Sequence, residues 1–422
     1  MQIVERFDFF PLTFDDRGKL ESPQEFNALI GRANSAPATD AIFLAHGFRN
    51  DVSDATSLYT TFLKTFRAQL SRPEFQAVAG RRFVVAGVYW PSKRFRETFD
   101  DGTGGTRGLH DPAEAMAGAM VQLEDLKHDA SPAQRATLAK AARLLPTLEG
   151  NATAQDQFVA LLFSLLEHST LDKTEGLPQI RKRAGSELLT RLSSPTVDGT
   201  RGIGNVFGTI AGGVGQFLNL TTWYVMKDRS GTVGVKGAAT AVRALHDSRP
   251  GIRIHLVGHS LGGRLMASCA KALCDPPMLQ PNSLMLLEAA FSHFGFSPNN
   301  GHGHAGFFRD VIAKQVVKGP FVSTFSAEDT VVGNAYSIMS RLAGDNTREI
   351  GDASDEFGGI GRNGPLKTTE VTNSPLHPAG TAYDFKAGVI NNLDGSGGLI
   401  KDHGDVTSDA ITYAFASAVA RT

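Results

Sequence analysis

The sequence predicts an α/β fold: a mostly parallel sheet flanked by helices, interrupted by a long, mainly helical insertion. Three observations carry this. Short apolar runs of strand length, at 41–45, 82–90, 254–257, 284–287 and 321–325, are separated by helical periodicity, as in parallel strands joined by right-handed crossovers. One of them runs through Gly258-His259-Ser260-Leu261-Gly262 straight into an amphipathic helix. Between Ser92 and Leu220 the strand pattern stops and only helical patterns remain.

Taken in order, the chain opens with a short strand or hairpin, followed by the strand 41–45, a helix near 58–70 and the strand 82–90. The insertion reads as helices over 112–129, 131–145, 154–167 and 177–192. Asp111-Pro112 and Ser131-Pro132 mark two of its helix starts, a cap residue followed by proline at the first helical position. A helical stretch through Lys236 and Leu245 leads back to the strands, and a helix over 408–420 closes the chain. The expected organisation is therefore a core in two parts, 1–91 and 221–422, with a helical cap at 92–220. No internal repeat is evident.

The serine-bearing turn has a physical logic. Ile254, Leu256 and Val257 supply a buried strand, and Leu261, Leu265, Met266, Cys269, Ala270 and Leu273 form one helical stripe. A serine at the tip of so sharp a turn is held in a strained backbone conformation. A side chain at Gly258 or Gly262 would collide where strand and helix cross. With this motif in this setting, the sequence resembles the α/β-hydrolase superfamily, whose nucleophile elbow has this form.

The resemblance extends to three further segments. Acyl transfer needs N–H donors aimed at a developing oxyanion. The resemblance implies the backbone of Leu261, after the serine, and of Phe48, in the loop His46-Gly47-Phe48 that ends an early strand. His46 belongs to that loop signature and is expected to pack or hydrogen-bond locally. A carboxylate is needed to orient a histidine base. The loop Ser326-Ala327-Glu328-Asp329-Thr330-Val331-Val332 places Asp329 at the family's acid position, with Glu328 beside it and the valines turning back into the core. Glu288, at the end of the preceding strand, is the rival acid. His403, in Asp402-His403-Gly404-Asp405-Val406 before the last helix, is the implied base, and Asp405 reads as the acid at that helix's N-terminus. The order Ser260, Asp329, His403 is the order of the superfamily.

Other histidines weigh less. His377 lies between Leu376 and Pro378 in an extended segment and is the second choice of base. His302 and His304 have no acid or cysteine at metal-ligand spacing and read as a glycine-rich loop that could line a pocket mouth. No metal and no cofactor are expected.

Composition narrows the function classes. The 422 residues carry a net charge of −1, so no global basic surface points to nucleic acid. Two cysteines, Cys269 and Cys274, are too few for a disulfide framework and suit a reducing compartment. The first residues lack a basic region followed by an apolar one, so a cytoplasmic location is expected. The run 202–226 holds no charge, with Gly204, Gly208 and Gly212 at four-residue spacing. It reads first as a buried segment packing closely on the core, and alternatively as a lid or lipid-facing surface making transient membrane contact. Trp223 and Tyr224 read as core anchors.

The expected activity is a serine hydrolase acting on a small-molecule or lipid ester, or on a thioester. Two alternatives stand beside it: a membrane-acting lipase or phospholipase effector, and a catalytically silent binding or scaffold protein on the same fold.

Overall fold

The computed structural model describes residues 2–35, 37–92, 112–127, 130–166, 173–193, 210–343 and 353–422. Among them one sheet of nine strands runs in the order β1-β2-β4-β3-β5-β6-β7-β9-β8. The strands are β1 (Gln2–Val4), β2 (Phe7–Thr13), β3 (Asp40–Ala45), β4 (Phe83–Tyr89), β5 (Arg253–His259), β6 (Ser283–Leu287), β7 (Phe321–Phe325), β8 (Val371–Pro375) and β9 (Ile390–Asp394). Only the edge pair β1–β2 is antiparallel; every other pairing is parallel. The expected mixed α/β fold with a mostly parallel sheet is present, and the N-terminal run is a hairpin. The last two strands, β8 and β9, are additions that the sequence pattern did not reveal. β8 is a half-exposed edge strand with no buried apolar run, and in β9 the buried Asn391 and Asn392 mask the apolar signal.

Alternation along the strands sorts the core into two layers. Phe10, Leu12, Phe43, Ala45, Ile254, Leu256 and Leu286 face one side, with the helix Leu261–Leu273 and the inserted helices. Phe9, Ile42, Leu44, Val257, Met285 and Leu287 face the other, with the helices Val52–Leu70 and Asp409–Ala420. Both faces are thus covered, as a parallel sheet requires. The predicted stripe of the helix after Ser260, from Leu261 to Leu273, is completely buried.

The inserted helices span Pro112–Lys127, Pro132–Leu144, Ala152–Ser164 and Gly185–Ser193. Ser131 caps the second through a full capping box with Gln134; Asp111 lies outside the described residues. The single helix expected over 177–192 is in fact two, Leu177–Ile180 and Gly185–Ser193, parted by the polar turn Arg181-Lys182-Arg183.

One helical run then returns to the core: Ile210–Thr232, a π-helical turn at Val233–Ala238, and Ala239–Ser248. Residue 220, the expected edge of the insertion, falls inside it, so insertion and core share this element. Several of its glycines are needed for close contact, although Gly215 faces open space. A Cβ on Gly234 would stand 2.3 Å from the Leu265 carbonyl oxygen, and one on Gly213 would stand 2.4 Å from that of Leu189. The run therefore touches the helix after Ser260 at one end and an inserted helix at the other. Gly204 and Gly208 lie outside the described residues. Val214, Phe217, Leu218, Trp223 and Tyr224 are buried in the chain's own core. Among the described residues no helix is long and apolar enough to cross a membrane.

Candidate active site

The carboxyl ends of β3, β5, β6, β7 and β9 converge, the usual place for a site in a parallel sheet. β5 ends at His259 and the helix begins at Leu261, leaving Ser260 alone in the turn with φ 56° and ψ −124°. Few non-glycine residues occupy this region, and holding one there costs on the order of 1–3 kcal/mol. Neighbouring backbone offsets that strain: the Ser260 N–H donates to the Leu287 carbonyl at 3.0 Å, and the Ala290 N–H donates to the Ser260 carbonyl at 3.0 Å.

The flanking glycines behave as the sequence implies. A Cβ on Gly258 would lie 2.2 Å from the Gly262 carbonyl oxygen, and one on Gly262 would lie 2.3 Å from that of Ala45. Gly47 passes so close that its Cβ would stand 2.8 Å from the Ser260 Cβ. The loop bearing Phe48 is thereby held against the serine. The Leu261 N–H belongs to the first turn of its helix, where no intrahelical acceptor exists. Phe48 itself packs edge-on against Trp223 at 6.0 Å.

A single contact separates the two candidate acids. His403 Nδ1 lies 2.7 Å from Asp329 Oδ2, across 74 residues of sequence. Asp329 is fully buried, whereas the His403 side chain keeps 13% of its surface exposed. The other oxygen of Asp329 accepts the Val332 N–H at 2.9 Å. That bond caps a helix, Thr330–Ala343, which begins directly after the acid. The expected turn of the valines back into the core is thus the first turn of this helix. Its cap locks the carboxylate's second oxygen and leaves the first aimed at His403.

Glu288, the rival acid, is buried on the adjacent strand end with φ 39°. Its Oε1 accepts the Thr324 hydroxyl at 2.6 Å, while Oε2 has no hydrogen-bond partner. Burial pushes its carboxyl well above the usual range; the Thr324 bond opposes this and the Asp329 charge adds to it. A carboxyl whose charged form is disfavoured in this way is poorly suited to stabilise an imidazolium. His377 takes no part in the cluster; it packs on Tyr383 at 5.5 Å, beyond the edge strand β8.

His46 is structural, as expected. It is buried, stacked on Trp90 at 5.7 Å, with Nδ1 3.0 Å from the Gly47 carbonyl oxygen. Burial pushes its pKa down to about 4, the Gly47 contact opposing that shift, so it is neutral at pH 7. Asp405 differs from expectation. It accepts the Lys401 N–H at 3.0 Å inside the histidine loop, and Ser408 caps the final helix in its place. His302 also differs, because folding brings it 3.3 Å from Glu356, an acid 54 positions away that short-range spacing could not reveal. With Phe294, Asn300, Asp355 and Lys367 these residues line a cavity of about 500 Å³. Among the described residues no group of side chains is arranged to hold a metal ion.

Sequence reasoning missed a buried ionic cluster that docks the insertion. Lys227, fully buried on the long helical run, pairs with the equally buried Glu175 of the insertion. Tyr336 joins both, its hydroxyl 2.6 Å from Lys227 Nζ and 2.8 Å from Glu175 Oε2. The Ser292 N–H reaches the other Glu175 oxygen at 3.1 Å. Tyr336 lies on the helix capped by Asp329, so the insertion is tied to the element that carries the acid. The available signal was a lysine placed directly after the uncharged run 202–226, in the same helix.

Cys269 and Cys274 are unpaired, and burial pushes their thiols up to about 12 and about 11, so neither is a ready nucleophile. Compared with protein-family models, curated proteins and solved structures, the chain matches none.

Proposed function

We propose that this chain is a serine hydrolase of the α/β-hydrolase type, cleaving carboxylic ester or thioester bonds through an acyl-enzyme. The observation that carries the reading is the joint presence of a strained turn serine and a distant histidine–carboxylate pair at one edge of the sheet. With Nδ1 committed to Asp329, His403 has Nε2 left to exchange a proton with Ser260. Ser260 Oγ attacks the carbonyl carbon as His403 takes its proton. The oxyanion is met by the Phe48 and Leu261 N–H groups, and collapse expels the alcohol or thiol, which receives the proton from His403. Water, deprotonated by the same imidazole, then attacks the acyl carbon; the Ser260 Oγ–carbon bond breaks as His403 returns that proton to Ser260 Oγ, releasing the acid and free Ser260. Asp329 remains a carboxylate throughout, orienting the ring and stabilising its charged form.

The test is labelling with a fluorophosphonate, followed by hydrolysis of p-nitrophenyl esters of graded chain length. Labelling of the wild type that disappears in Ser260→Ala, with turnover showing a chain-length optimum, is the expected result. A folded wild-type protein that neither labels nor hydrolyses any ester overturns the reading and favours a binding or scaffold role.

A further inference from the structure

Resting on that reading, we propose that His259 is a positioning residue, which holds the backbone of the catalytic histidine at working height over Ser260. His259 Nε2 lies 2.8 Å from the main-chain carbonyl oxygen of His403. A carbonyl only accepts, so Nε2 must carry the hydrogen and Nδ1 the lone pair. Nδ1 is shielded from solvent and has no hydrogen-bond partner. The ring backs onto Gly47, where a Cβ would come within 3.2 Å of Nδ1. Its face lies 4.8 Å from the His403 ring, tilted by 43°.

His403 is therefore gripped at two points. Asp329 holds its side chain through Nδ1, and His259 holds its main chain through the carbonyl. The second grip comes from the residue that precedes the nucleophile, so base and nucleophile share one rigid element, β5. This matters because His403 sits in the irregular segment between β9 and the final helix, ordered locally by short turns at Asp402 and Asp405. A displacement of about 1 Å in such a group costs on the order of 100-fold in rate. Burial, with the nearby His403 charge adding to it, pushes the His259 pKa down to about 3. The ring thus stays neutral and keeps its single donor fixed across the working pH range, and it does not compete with His403 for the proton.

The experiment compares His259→Leu and His259→Gln with the wild type in fluorophosphonate labelling rate and in kcat and KM for an ester. Thermal melting is followed in parallel. Leucine removes the donor, whereas glutamine keeps an N–H donor within reach of the carbonyl. The expected result is a 10- to 100-fold lower kcat and labelling rate for His259→Leu at nearly unchanged KM, with His259→Gln restored to within a few-fold of wild type. Equal kcat in all three proteins overturns the proposal, as does a glutamine variant as slow as the leucine one. Nitrogen NMR of the imidazoles in the wild type tests the contact without any variant. A neutral His259 with its hydrogen on Nε2 from pH 5 to 9 supports it; a hydrogen on Nδ1, or a charged ring, overturns it. If the wild type itself fails to label, the hydrolase reading falls, while the NMR result still decides whether the His259–His403 contact exists.

Discussion

Two serine–histidine–aspartate groupings lie at opposite ends of the same strand. At the carboxyl end of β5 stand Ser260, His403 and Asp329. At its amino end stand Ser283, His255 and Asp40, with His255 Nδ1 2.8 Å from Ser283 Oγ and His255 Nε2 3.0 Å from Asp40 Oδ1. By hydrogen bonds alone the second group is the more complete: both of its links are made, whereas in the first only the His403–Asp329 link is, at 2.7 Å. Its placement differs in every respect that chemistry requires. His255 and Ser283 are register partners on neighbouring strands with regular backbone, and the His255 and Asp40 side chains are fully buried. Asp40 is also held by Arg81 at 3.2 Å, so its charge is already spent on a structural cation. Ser260 instead occupies a left-handed turn beside the first N–H groups of a helix, and His403 keeps some solvent contact. A triad of residue types that lies inside a sheet is a polar clasp. It becomes a candidate catalyst only where strands end.

Four measurements test whether the two ends of β5 differ in this way. The largest effect is on turnover: Ser260→Ala and Asp329→Asn should each lower kcat by on the order of 10³-fold or more, read as ester hydrolysis at unchanged melting temperature. A smaller loss for Asp329→Asn would mean that Glu288, one strand away, can substitute as the acid.

The next effect is on stability at the other end of the strand. His255→Leu removes a partner of the buried Asp40 carboxylate and should cost about 1.5–3 kcal/mol in urea unfolding. The folded variant should keep its esterase activity within about twofold, because the clasp is remote from the strand ends that form the site. A collapse of activity without a loss of stability would end the distinction drawn here.

Third, acid should weaken the fold in a predictable window. Burial lowers the His255 pKa, although the Asp40 contact opposes it, and lowers those of His46 and His259 to about 4 and about 3. An unfolded histidine titrates near 6.5, so below that pH the unfolded chain binds protons that the folded chain refuses. The stabilisation is fully present above about pH 6.5 and is lost as pH falls, on the order of 1–2 kcal/mol each for His46 and His259 by pH 5, with His255 contributing in the same direction. Urea midpoints at pH 8, 7, 6 and 5 should be flat at first and then fall, and His255→Leu should remove part of that slope. Burial works to raise the Asp40 carboxyl, but its His255, Thr39 and Arg81 contacts outweigh burial and hold it below the usual range. Its share of the stability is therefore lost only in stronger acid.

The smallest effect belongs to Ser283→Ala, which removes one hydrogen bond and should cost about 0.5–1.5 kcal/mol. Fluorophosphonate labelling of this variant should match the wild type, whereas labelling confined to Ser283 would invert the assignment of the two clusters.

Much of this was legible without coordinates because it is local. The strands announce themselves by apolar runs such as Ala41 to Ala45, and the helix after Ser260 by its stripe. The elbow is readable because Gly258 meets Gly262 within five residues of sequence. Ser131 is likewise a cap readable from its own next three residues. The polar strands β8 and β9, and the broken helix at 181–183, escaped because their signals are weak at that range.

Tertiary structure decided everything that depends on which strand ends lie side by side. Asp329, and not Glu288, meets His403 because β7 neighbours β9, whose following loop carries His403, and because its helix cap fixes the carboxylate. Asp40, His255 and Ser283, far apart along the chain, become a clasp only through the β3–β5–β6 register. Glu175 and Lys227 find each other only when the insertion docks. The physical reason is one of range. Periodicity and turn chemistry act over a few residues and are written in the chain, whereas partners 74 residues apart are chosen by sheet order, which no local pattern encodes.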